Sequence, residues 1–181
     1  MTDEQTLIAH TKKWLSTVVI GHGLCPFAKR EFEAGRVHYT VIETADISAQ
    51  LEAVIDDCIA LDKHADRETS LLIFPAGLSE FQVYLDVLDT ASELLRMQGY
   101  EGVYQLASFH PDYCFAGVSP DDASQYTNRS PYPMIHILRE ASVEAATKTY
   151  PDAKKIADRN IELTRGLGAE FMRNLRAECF R

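Results

Sequence analysis

The sequence predicts an α/β domain: three to four strands, mainly parallel, built from successive β-α-β units and covered by helices that include one at each end of the chain. Three observations predict it. Short β-branched runs alternate with longer amphipathic segments, and this order gives two crossover units, which join parallel strands with a right-handed turn. The composition, 46% hydrophobic and 25% charged over 181 residues, is that of an ordinary globular chain long enough to bury a core. No linker, repeat or charge block divides it, so residues 1–181 read as one domain.

Taken in order, residues 3–20 place Leu7, Thr11, Trp14, Leu15, Val18 and Val19 at helical spacing. Thr2 and Gln5 have the form of a capping box, and Gly21 and Gly23 stop the helix. Residues 37–43 are rich in β-branched and aromatic types and read as a strand. A helix follows over about 47–63, with Ile47, Leu51, Val54, Ile55, Cys58 and Ile59 on one face. The apolar run 70–75 reads as a strand covered on both sides. Ser79 caps a third helix that carries Phe81, Tyr84, Leu85, Leu88, Ala91 and Leu95 inward until Gly99. Residues 103–109 form the next strand, and 134–139 read as a fourth strand rather than a helix start, because Ser142 is placed to cap a helix running to about Tyr150. The final segment, from Asp152 to about Cys179, is helical and can break at Gly166 and Gly168.

Between His110 and Pro133 the periodicity vanishes, yet the stretch holds four of the seven prolines together with Tyr113, Phe115, Tyr126 and Tyr132. A loop this long in a compact domain is usually functional, and its aromatic content argues against disorder. It leaves the third strand at the carboxyl edge of the sheet, where ligands collect in open α/β folds. Arg129, flanked by Asn128 and Ser130, offers a donor fork suited to carboxylate or phosphate, with Arg139 as a second arm and His136 nearby in the following strand. His110 is the natural proton shuttle and Asp112 its orienting partner. The structural alternative has Arg129 paired with Asp121 or Asp122, while His110 and Asn128 tie the loop's backbone together.

Cys25 heads a second cluster. With Pro26 in the first helical position its thiol caps a short helix near Lys29 and Arg30, a field that lowers a thiol toward neutrality, and His22 is near enough in sequence to accept the proton. The alternative is a packed cysteine at a helix entrance. The neighbourhood has the look of a glutaredoxin loop, but Ala28 stands where the second cysteine belongs. A metal set of His110, Asp112, Cys114 and His136 matches no established spacing. Neither a glycine-rich phosphate loop nor a Gly-x-Ser-x-Gly elbow is present.

Eighteen Lys and Arg against 27 Asp and Glu give a formal charge of −9, which argues against a nucleic-acid partner. Asp3, Glu4, Lys12 and Lys13 interrupt the N-terminal apolar positions, so neither a signal-peptide core nor a membrane span is expected, and the cytoplasm is the default address. Cys25, Cys58, Cys114 and Cys179 are too widely spaced for a zinc knuckle and fit reduced thiols.

Nearly the whole chain resembles the small bacterial proteins of domain-of-unknown-function family 1415. The resemblance rests on Trp14–Ile20 leading to Gly23-Leu24-Cys25-Pro26-Phe27-Ala28, on Ala107-Ser108-Phe109-His110-Pro111, and on Thr127-Asn128-Arg129-Ser130-Pro131-Tyr132-Pro133 followed by His136 and Leu138-Arg139-Glu140. It implies a shared site among these segments and no particular activity or cofactor. The expectation is an enzyme or binding protein for an anionic metabolite: Arg129 and Arg139 hold the charge, His110 moves a proton, and Cys25 is an optional nucleophile beneath the 110–133 loop. The rival expectations are an interaction module presenting the loop's tyrosines to a partner, and a metal-dependent enzyme.

Overall fold

A computed structural model describes residues 2–150 and 152–181. The chain opens with helix α1 (Glu4–Trp14), which runs into a π-helical segment over Leu15–Ile20, and short α2 (Ala28–Glu33) follows. The core continues as β1 (Val37–Val41), α3 (Ile47–Lys63), β2 (Thr69–Ile73), α4 (Phe81–Met97) and β3 (Tyr104–Phe109). After the long loop, which contains a 3-10 turn at Ala123–Thr127, come β4 (Met134–Arg139), α5 (Glu140–Thr149), α6 (Ile156–Leu167) and α7 (Ala169–Ala177).

The sheet order is β1-β2-β4-β3, with β1 and β2 parallel and β4 antiparallel to both of its neighbours. The expectation of a mainly parallel sheet is therefore corrected to a mixed one. Strands β1, β2 and β3 still run in the same direction, because β2 and β3 each oppose β4. The crossover pattern implied that β2 and β3 are neighbours, and β4 lies between them instead. In β4, Met134, Ile135 and Ile137 are wholly buried, a demand for cover on both faces that a central strand meets. Strand β3 leaves Gln105 exposed and takes the edge.

On one face, α3 and α4 bury Val54, Cys58, Leu61, Tyr84, Val87, Ala91 and Leu95 against Leu72, Ile135 and Ile137. On the other, α1, the π-helical segment, α6 and α7 cover Leu71, Ile73 and Met134 with Trp14, Leu15, Val18, Val19 and Met172. The N-terminal cap is Asp3, whose carboxylate accepts from the Thr6 amide, one residue beyond the expected Thr2 box. Glu80 rather than Ser79 precedes α4, without a side-chain cap. Helix α5 starts straight from β4, so Ser142 lies inside its first turn. Gly168, at φ 88°, separates α6 from α7 as expected, in a backbone region that favours glycine.

Candidate functional site

The sequence-predicted residues fall into two places. In the 110–133 loop, His110 is fully buried; its Nε2–H donates to the Leu78 carbonyl at 2.9 Å and its Nδ1 accepts the Asp112 amide at 3.0 Å. Both ring nitrogens are thus committed to backbone, and the ring packs against Phe81 and Tyr84. Burial pushes its pKa below the ordinary histidine value. The Asn128 amide donates to the Ser108 carbonyl, and Ser130 Oγ donates to the Tyr132 carbonyl. Arg129 donates from Nε to the Tyr113 carbonyl and from Nη2 to the Pro120 carbonyl, and its guanidinium lies 5.0 Å over Tyr126. Asp122, which the structural alternative paired with Arg129, pairs instead with Arg165. Asp112 is exposed. These groups hold the loop's shape, and the geometry gives His110 no free nitrogen for proton transfer.

The loop's aromatic residues are packed rather than displayed. Tyr126 is buried, Tyr113 packs at a tilt against Phe81 and Phe115, and Tyr132 meets His10 and Phe180. The metal set does not form: His110 turns to Leu78 at the head of α4, whereas His136 faces the N-terminal helices. Among the described residues no cluster of three or more His, Cys, Asp or Glu is placed to hold a metal ion.

The second place is a cavity of about 300 Å³ between the sheet and the N-terminal segment, at the lower end of the size range of ligand pockets. Its floor is two rows of sheet residues, Leu71–His136–Ala107 and Val37–Thr69–Leu138–Gln105, together with Phe109. Trp14, Leu15 and Val19 form one wall, Cys25, Phe27, Ala28 and Glu31 another, and Ser142, Val143 and Ala146 of α5 a third. The floor lies toward the starts of β1, β2 and β3, the opposite end from the carboxyl edge where the sequence led us to expect a pocket. The π-helical segment shapes this wall. The Gly21 amide reaches the Ser16 carbonyl and the Leu24 amide the Val19 carbonyl, both five residues back. A Cβ at Gly21 would collide with the Thr17 carbonyl.

Cys25, His136 and Arg139, three of the expected site residues, line this cavity. Cys25 is not the cap of α2, which begins at Ala28 behind Phe27. Burial raises its thiol pKa, an effect larger than the opposing hydrogen bonds from the Phe27 and Ala28 amides. Lys29 and Arg30 are turned to Glu33 and Glu31. Arg139 sends its guanidinium away, to the Leu61 and Arg67 carbonyls at 2.6 and 3.1 Å and to the Tyr104 hydroxyl. His136 keeps its ring at the cavity wall, where burial holds its pKa down to about 4. Thr69 and Trp14 are among the cavity groups that sequence reasoning did not mark as site residues. Thr69 opens a strand and Trp14 sits on a core stripe, so neither carried a chemical signal.

The fold and the cavity define a layered α/β protein that encloses a small, mostly apolar chamber between its mixed sheet and its N-terminal helices. The chain belongs to the family described as protein of unknown function (DUF1415), whose profile matches residues 6–174. No curated protein and no solved structure matches it. No helix among the described residues is long and apolar enough to cross a membrane.

Proposed function

We propose that this protein binds a small, largely apolar molecule in the chamber between the sheet and the N-terminal helices. The observation that carries the reading is the chamber itself: a mostly aromatic and aliphatic lining with a few polar side chains, His136 and Thr69 among them, is the usual make-up of a ligand pocket. Binding is favoured over catalysis. A base held near pKa 4 is a poor proton acceptor at neutral pH, and a thiol with a raised pKa is a poor nucleophile. The earlier expectation of a charged metabolite loses support here, because Arg139 is the sole cationic residue among the described lining groups and its guanidinium is bound to carbonyls.

A thermal-shift screen of neutral apolar compounds, phosphates and small carboxylates tests the reading, with Ala107→Phe filling the chamber. A neutral compound at a hundred times its dissociation constant raises the melting temperature by roughly 5–10 °C, and the Ala107→Phe protein does not respond. A second reading keeps an anion at the loop, because Arg129 and Arg176 both lie over Tyr126 and neither forms an ion pair among the described residues. It predicts a phosphate or carboxylate shift that Ala107→Phe retains and Arg129→Ala loses.

A further inference from the structure

The hydrogen bonds around His136 specify more than an apolar fit. Thr69 Oγ1 has one proton, and it donates that proton to the Ile137 carbonyl at 2.5 Å. The 2.6 Å contact between Thr69 Oγ1 and His136 Nε2 therefore runs from ring to hydroxyl, so Nε2 carries the ring proton. In a neutral imidazole the other nitrogen is then an acceptor. Among the described residues the ring's one hydrogen bond is at Nε2, so Nδ1 has no donor there, and the ring lines the chamber.

Resting on the chamber being a ligand site, we propose that it selects neutral molecules whose polar end is a hydrogen-bond donor, a hydroxyl or N–H, accepted by His136 Nδ1. Thr69 acts as a positioning residue that sets the tautomer. A molecule offering only acceptors leaves Nδ1 unpaired in an apolar site, which disfavours it. A carboxylate sets its own lone pairs against that of Nδ1 and meets two acidic residues in the lining, Glu31 and Glu68, while the one cation among the described lining residues, Arg139, is bound to carbonyls.

The test uses three probes of matched length, octanol, heptyl methyl ether and octanoate, titrated calorimetrically into the full-length protein at neutral pH. Octanol binds about tenfold more tightly than the ether, and octanoate more weakly than octanol. In His136→Phe both neutral probes still bind and the preference for octanol disappears. Thr69→Val keeps the ring but releases the tautomer, so the preference shrinks; ring nitrogen NMR of the native protein shows protonated Nε2 and unprotonated Nδ1. Equal affinity for octanol and ether, tighter binding of octanoate, or a proton on Nδ1 would overturn the donor selection while leaving the chamber as a ligand site. Failure of every probe to bind overturns both, because the selection rests on the chamber.

Discussion

His136 couples the chamber to pH. Its folded pKa of about 4 lies below the ordinary value near 6.5, so between those two values the unfolded chain binds more protons than the folded one. Stability is then fully present above about pH 6.5 and is lost as pH falls toward 4, by on the order of 3 kcal/mol if the whole shift is realised. Burial shifts His110 and His38 the same way, so they deepen the loss. Urea midpoints measured at neutral pH and near pH 4.5 should fall steeply for the native protein and less so for His136→Phe; equal slopes would assign the loss elsewhere. Arg129 serves a different purpose. Replacing it with Ala removes two hydrogen bonds to loop carbonyls and should destabilise by about 1–3 kcal/mol. A lysine should rescue little, since an ammonium cannot reproduce the fork. These residues show how far chemistry is readable from residue type. Segments 108–114 and 127–133 do touch, through the His110 amide on the Asn128 carbonyl and the Asn128 side chain on the Ser108 carbonyl, yet whether an arginine meets a ligand or a carbonyl depends on where the chain turns its oxygens. That depends on long-range geometry.

At the scale of elements, α5 is, like α2, a thinly supported wall. None of its residues is buried, and it faces the chamber through Ser142, Val143 and Ala146, tied at its far end by the Phe27–Tyr150 contact and the Arg159–Tyr150 hydrogen bond. Its amides should exchange with deuterium well before those of α3 and α4, whose inward faces are part of the core, and an added ligand should slow them. Protection equal to that of α3 would contradict this. Gly168→Ala, at φ 88°, should cost about 1–2 kcal/mol and loosen the junction of α6 and α7, as a melting curve would show. Most elements were legible because periodicity reports which face is buried: α3 was located to the residue range observed, and β2 and β4 by their apolar runs. Strand order was not legible. Local patterns record that β4 is buried on both sides, whereas its insertion between β2 and β3 is a pairing between distant segments.

Across the whole molecule the two layers of helices play different parts. Helices α3 and α4 pack one face of the sheet to closure around Leu72, Ile135 and Ile137. The other face is covered by pieces from both ends of the chain, and between the N-terminal piece, α5 and the sheet they leave the chamber. Trp14, the chain's single tryptophan, lies on its wall, 1% exposed and in edge contact with Phe109, and its indole N–H has no partner among the described residues. Its fluorescence therefore reports on the chamber directly. The most direct test of the account is a titration of octanol followed by Trp14 emission, in the native protein and in Ala107→Phe. We predict a saturable spectral change in the native protein that the filled variant lacks. An unchanged spectrum in the native protein, or the same change in both, would contradict the assignment of this chamber as the ligand site.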